Sequence, residues 1–182
     1  MKPPLKLLLP TLFLTLLGVN NLSAQSGSNY VKLGTSVFFL TDAQVFNHTF
    51  LSLEASYEYQ FSRQFSINLN ISAARLVGDA QFNEIDGFIR NTNSAEMEWR
   101  FYPNSKGKGF YAGVSALLYQ DRKVIAGVPI KFSHFGSHIN VGVQFPMANA
   151  FYLQVNGQIG IYGQGYSTIS RYGLKMMVGY RF

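Results

Sequence analysis

The chain contains no cysteine. That excludes a disulfide framework, a thiolate metal centre and a lipid-modified N-terminal cysteine. Charge is scarce too: Asp, Glu, Lys and Arg make up 13% of the 182 residues, against about 25% in an average soluble domain. So little charge leaves a water-covered surface poorly supplied. Long hydrophobic runs are missing beyond residue 18, because polar residues interrupt every apolar stretch. No later segment therefore offers the roughly 20 apolar residues that a membrane-crossing helix needs. No glycine-rich phosphate loop or dinucleotide fingerprint is present. The formal net charge of +6 comes without a basic run. That fits an anionic surface such as lipid head groups, with no footprint for nucleic acid.

What is present begins with a targeting segment. Lys2 and Lys6 give a positive start, "LLLPTLFLTLLG" (7–18) is a short apolar core, and "LSA" (22–24) precedes Gln25. This pattern reads as a signal peptide, residues 1–24, cleaved between Ala24 and Gln25. Residues 25–182 then form one mature domain.

Within that domain the dominant signal has a period of two. In "SLEASYEYQFSRQFSINLNIS" (52–72) apolar and polar residues alternate almost without a slip. Such alternation gives a strand one wet and one dry face. Eight strands are expected, at 29–40, 49–61, 65–76, 89–102, 110–120, 132–145, 151–162 and 171–182. Each has about the 9–11 residues that a tilted strand needs to cross a bilayer. In six of them, all but the first and fifth, one parity is cleanly apolar. "SRQ" (62–64), "PNSKGKG" (103–109) and "PMANA" (146–150) read as short turns, whereas 41–48, 77–88, 121–131 and 163–170 read as mostly longer loops. Short turns at one end and longer loops at the other describe an all-β fold: an eight-stranded, antiparallel, up-and-down transmembrane barrel.

The placement of aromatics decides which face points where. Tyr59, Phe61 and Phe65 flank the first short turn, Trp99, Phe101 and Phe110 the second, and Phe145 and Phe151 the third, while Tyr180 and Phe182 close the chain. All belong to the apolar parity and to one rim, as an interfacial girdle would. The opposite parity carries Glu54, Glu58, Glu96, Glu98, Arg100, Lys175 and Arg181, with Lys32 from the less regular first strand. The apolar face therefore points to lipid, and the four acids and four bases form an ion-pair network in a filled lumen. Lys32 and Glu58 fall near the same end of adjacent strands and are expected partners. A soluble, lipocalin-like barrel would invert these faces.

The final "GLKMMVGYRF" resembles the C-terminal β-signal of bacterial outer-membrane proteins, and "EWRFYPNSKGKGFYAGV" (98–114) resembles the strand–turn–strand of small Bacteroidota-type barrels and of the OmpA/OmpX/OmpW-like group. The resemblance implies residence in the outer membrane with both termini periplasmic. It also implies insertion by the barrel-assembly machinery, which would read Phe182. The expected partners are membrane lipid and lipopolysaccharide, around a monomer without cofactor. Basic residues Arg75, Arg122, Lys123, Lys131 and Arg171 fall at or beyond the outer strand ends, where lipid phosphates would lie.

One stretch invites a chemical reading. "FSHFGSHIN" (132–140) offers Ser133, His134, Ser137 and His138. Some eight-stranded outer-membrane enzymes remove acyl chains from lipid A with a His-x-Ser pair and a Glu; here His134 and Ser137 are three apart, which puts them on opposite faces of a strand. His134 and His138 share a face but stand about 13 Å apart, too far for one metal ion. Glu96 and Glu98 share a face as well, and ion pairing explains them without catalysis. The leading expectation is a non-enzymatic barrel with a structural or surface-interaction role. The alternatives are a lipid-modifying enzyme and a narrow channel for small solutes.

Overall fold

A computed structural model of the chain describes residues 28–41, 47–77, 89–103, 109–148, 150–164 and 167–182. The signal segment 1–24 and its Ala24/Gln25 cleavage site lie outside these residues. Eight strands run in chain order: β1 (Ser28–Thr41), β2 (Asn47–Gln60), β3 (Phe65–Val77), β4 (Ile89–Phe101), β5 (Gly109–Ile125), β6 (Val128–Ala148), β7 (Phe151–Gln164) and β8 (Ser167–Arg181). Each pairs antiparallel with the next, and β8 returns to β1 to close the barrel. The expected fold class and strand order are those observed.

Closure carries a stagger. Following paired residues around the wall leads from Val31 through Tyr57, Leu69, Met97, Ala116, Ser137, Ile161 and Ser170 to Thr41, ten residues further along the same strand. A staggered register obliges the strands to tilt, typically by about 35–45° to the barrel axis. At the seam the backbones of Asn29 and Phe182 exchange two hydrogen bonds, of 3.0 and 3.4 Å.

The two faces of the wall follow the sequence parity. Leu33, Leu53, Ile71, Val114, Ile139, Ile159 and Leu174 are exposed on the outside, while Lys32, Glu54, Asn70, Ser115, Asn140, Gln158 and Lys175 are buried inside. An outside this apolar and an inside this polar make sense only if the solvent around the wall is itself apolar.

Three expectations need correction. The segment 121–131 is not a loop: β5 and β6, 17 and 21 residues long, continue as a two-stranded ribbon to a turn at Ala126 and Gly127. Both turn residues have positive φ, 49° and 77°, the backbone of a two-residue hairpin whose twist matches its strands. "PMANA" is not all turn either, since β6 runs to Ala148 across a bulge at Pro146. In the last connection β7 extends to Gln164 and β8 begins at Ser167.

Strands β1 and β5 are irregular in sequence because in their outer halves both faces are apolar. Phe38, Leu40, Leu117 and Tyr119 point inward, with Phe50, Ala74, Tyr162 and Ile169, and form a hydrophobic cluster inside the lumen. Val37, Phe39 and Leu118 point outward from the same stretches. Alternation vanishes where both environments ask for the same residue type.

Candidate functional site

The lumen is filled in three layers. In the layer nearest the girdle, Glu58 is the hub. It pairs with Lys32 and accepts hydrogen bonds from Arg100 Nη1 at 2.9 Å, Tyr102 Oη at 2.6 Å and the hydroxyl of Ser66. Arg100 also holds Glu98, Nη2 to Oε2 at 2.5 Å, and its guanidinium lies 4.5 Å from the centroid of the Tyr111 ring. Gln154 accepts from both Lys32 (2.9 Å) and Arg100 (3.0 Å). Every one of these side chains is fully or almost fully buried. Buried charges persist only when paired and hydrogen-bonded, and this layer supplies both.

The middle layer turns on Lys175. Its ammonium lies 2.7 Å from Glu54 Oε2 and 3.2 Å from Glu96 Oε2. Asn70 Nδ2 donates to the same two carboxylates, at 2.8 and 3.3 Å. Ser36 and Ser52 donate to Glu54, and Asn140 Nδ2 bridges Ser115 (3.3 Å) and Glu96 (3.4 Å).

The outer layer mixes the hydrophobic cluster with Arg171. Its guanidinium sits 3.7 Å from the Phe38 ring centroid, and Nη1 donates to Tyr119 Oη at 2.9 Å. Tyr119 Oη also shares a hydrogen bond of 2.8 Å with His138 Nε2. Further out, His134 Nε2 lies 3.6 Å from Asp121 Oδ2. Among the described residues no group of three His, Asp or Glu converges to hold a metal ion.

Set against the sequence reading, the structure brings Lys32, Glu54, Glu58, Glu96, Glu98, Arg100 and Lys175 into the buried layers. It does not bring Arg181 there. Arg181 has the inward parity, but it pairs with Tyr30 at the open end of the barrel and is exposed. Arg171, expected at the outer rim, is instead 3% exposed inside the lumen. The cause is the earlier start of β8, which turns position 171 from a strand end into a lumen position. Arg171 shares the parity of Lys175, so the signal was available once the strand was lengthened. Gln154, Asn68 and Tyr111 carry no charge to mark them, and nothing short of their packing could single them out.

On the outer wall, all ten aromatics read as a girdle are exposed: Tyr59, Phe61, Phe65, Trp99, Phe101, Phe110, Phe145, Phe151, Tyr180 and Phe182. Neighbours touch around the rim, with ring centroids 5.3 Å apart for Phe65 and Phe101 and 5.1 Å for Phe151 and Tyr180. Arg75, Arg122 and Lys131 are exposed on the wall near the other end. Lys123 pairs with Ile130 in the β5–β6 ribbon. His134 is buried and Ser137 exposed, so these two lie on opposite sides of the wall.

A model of the outer membrane protein β-barrel domain matches residues 9–182. Comparison with the curated proteins finds no match in sequence. Among solved structures, neisserial surface protein A (NspA) superposes with a TM-score of 0.69 at 12% identity, covering 87% of this chain and 100% of NspA. Ail, the attachment invasion locus protein of Yersinia pestis, gives 0.56 at 14% identity with the same coverages. At such identities the likeness is one of fold. With the domain match running to the last residue, the chain belongs to the outer membrane protein β-barrel family and is a protein of the bacterial outer membrane.

Proposed function

We propose that the protein is a non-conducting barrel with a structural and surface-interaction role, neither a pore nor an enzyme. The observation that carries this reading is the contact between Lys175 on β8 and Glu96 on β4, 3.2 Å apart. In an eight-stranded ring those two strands face each other, so a single pair of side chains spans the lumen. Beneath it, the Glu58 hub draws on β1, β2, β3, β4, β6 and β7. Eight strands enclose a space that side chains can fill, and here they interlock. The separation of His134 from Ser137 by the wall supports the absence of a hydrolytic pair.

The β5–β6 ribbon, longer than every other strand pair, reaches furthest from the girdle among the described residues and supplies surface for contact with the exterior. In this reading residues 1–24 direct export and are removed after Ala24, both termini are periplasmic, and Phe182 is the residue recognised during insertion. Planar-bilayer recording of the refolded protein tests the pore question: no stable unitary current is expected. A reproducible ion-selective conductance would overturn the reading. Unchanged lipid A masses on deletion of the gene are expected of a non-enzyme, and a new acylation state would instead favour the lipid-modifying alternative.

A further inference from the structure

We propose that the outer face of β3–β6 is a binding site for the phosphorylated head group of an outer-leaflet lipid. Residues Arg75, Asn91, Arg122 and Lys131 are successive register partners on β3, β4, β5 and β6. All four are exposed on the outside of the wall. Asn93 and Gln120, partners of one another, sit one step closer to mid-membrane on the same face. Together they line an open recess of about 500 Å³.

Three observations point to a lipid phosphate. The first is depth. Phe65, in the girdle, and Arg75 lie on the same face of β3, and their separation is about 33 Å at ~3.3 Å per residue. A tilt of about 40° reduces this to roughly 25 Å, the height of the apolar band of such barrels. Arg75 therefore stands at the far head-group level, with Arg122 and Lys131 beyond it.

The second is unbalanced charge. Arg122 and Lys131 are direct cross-strand partners, and like charges so placed repel. Among the described residues, those lining the recess include no carboxylate. An anion between Arg75, Arg122 and Lys131 would relieve the repulsion, and guanidinium with ammonium beside amide donors suits phosphate.

The third is asymmetry and fit. The described outward positions of β1, β2, β7 and β8 carry no cation at that level; Phe39, Ile161 and Tyr172 occupy it instead. Leu51, the partner of Arg75 on β2, and the pair Leu53 and Ala73 one step toward mid-membrane line the β2–β3 side of the same recess. Apolar side chains on that side, next to the cations and the amides of Asn93 and Gln120, match a molecule with a phosphate above an acyl chain. The site is independent of whether the lumen conducts.

The test uses the full mature chain, folded and held in nanodiscs of phosphatidylcholine doped with bisphosphorylated lipid A, with retained lipid counted by native mass spectrometry. The wild type is expected to retain one lipid A. The triple variant Arg75→Gln, Arg122→Gln, Lys131→Gln is expected to retain about tenfold less or lower still. Heat-modifiability reports the folded fraction, and single variants replace the triple one if it folds poorly. Arg63→Gln with Arg181→Gln, both exposed near the girdle, should leave retention unchanged. Equal retention by wild type and triple variant would overturn the proposal. So would equal retention of the same lipid stripped of its phosphates, or displacement by millimolar inorganic phosphate, which would assign the cluster to free anions.

Discussion

The guanidinium of Arg171 lies 3.7 Å from the ring centroid of Phe38. This contact gives a cation a place inside a hydrophobic cluster, and it completes the buried charge set in place of Arg181. A planar, weakly hydrated guanidinium can stack and still donate to Tyr119; an ammonium cannot do both. Arg171→Lys is therefore expected to lower stability by about 1–2 kcal/mol, and Phe38→Leu should remove most of the difference between Arg and Lys at 171. Urea titration of the folded protein in lipid vesicles, followed by the fluorescence of the single tryptophan, Trp99, measures both. Additive losses would show that the two side chains act separately.

Glu58 is the acceptor around which the layer nearest the girdle is built. Glu58→Ala removes the carboxylate paired with Lys32 and one of the two carboxylates held by Arg100, leaving Lys32 only neutral acceptors such as Gln154, and should cost about 3–5 kcal/mol. Ser56→Ala, one inward position along the same strand, is the control and should cost below about 1 kcal/mol. The same titration compares them, and similar midpoints would mean that the buried charges contribute little.

Depth in the membrane grades the outer wall. Ile139 is exposed in the apolar belt, so Ile139→Arg should cost roughly 2–4 kcal/mol. Gln120→Arg, at the head-group level, should cost about 0–1 kcal/mol in the same phosphatidylcholine vesicles. Equal costs would contradict the depth assigned to the recess.

Ala126 holds a positive φ of 49° without the freedom of glycine. Asn tolerates that conformation better, so Ala126→Asn should stabilise the tip of the β5–β6 ribbon by about 0.5–1 kcal/mol. Amide hydrogen exchange at Ile125 and Val128, which pair across the turn, should slow several-fold. Unchanged exchange would indicate that the turn does not limit opening of the ribbon.

Strand number, order and facing were legible because two solvents act on each strand inside the membrane, so the parity of Leu53 against Glu54 or Ile139 against Asn140 is written into the chain. Where that contrast ends, so does the signal. The ribbon residues of 121–131 lie outside the belt, and nothing there enforces alternation, so a strand pair reads as a loop. Phe38 and Leu117 line an apolar part of the lumen beside apolar outward neighbours, and the contrast cancels. The rest of the lumen depends on reach. Arg181 and Arg171 share one parity, and only the height of each along β8 decides which is buried.

The seam between Asn29 and Phe182 makes closure the last event available to this chain. The first described strand has no second neighbour until the final one exists, so β1 and whichever strand is last formed each present an unpaired edge. Joining them brings together contacts separated by some 150 residues of chain, a long-range closure of the kind that slows folding. While they are unpaired, those two edges could each accept a strand of another chain, and pairing them with one another removes that hazard.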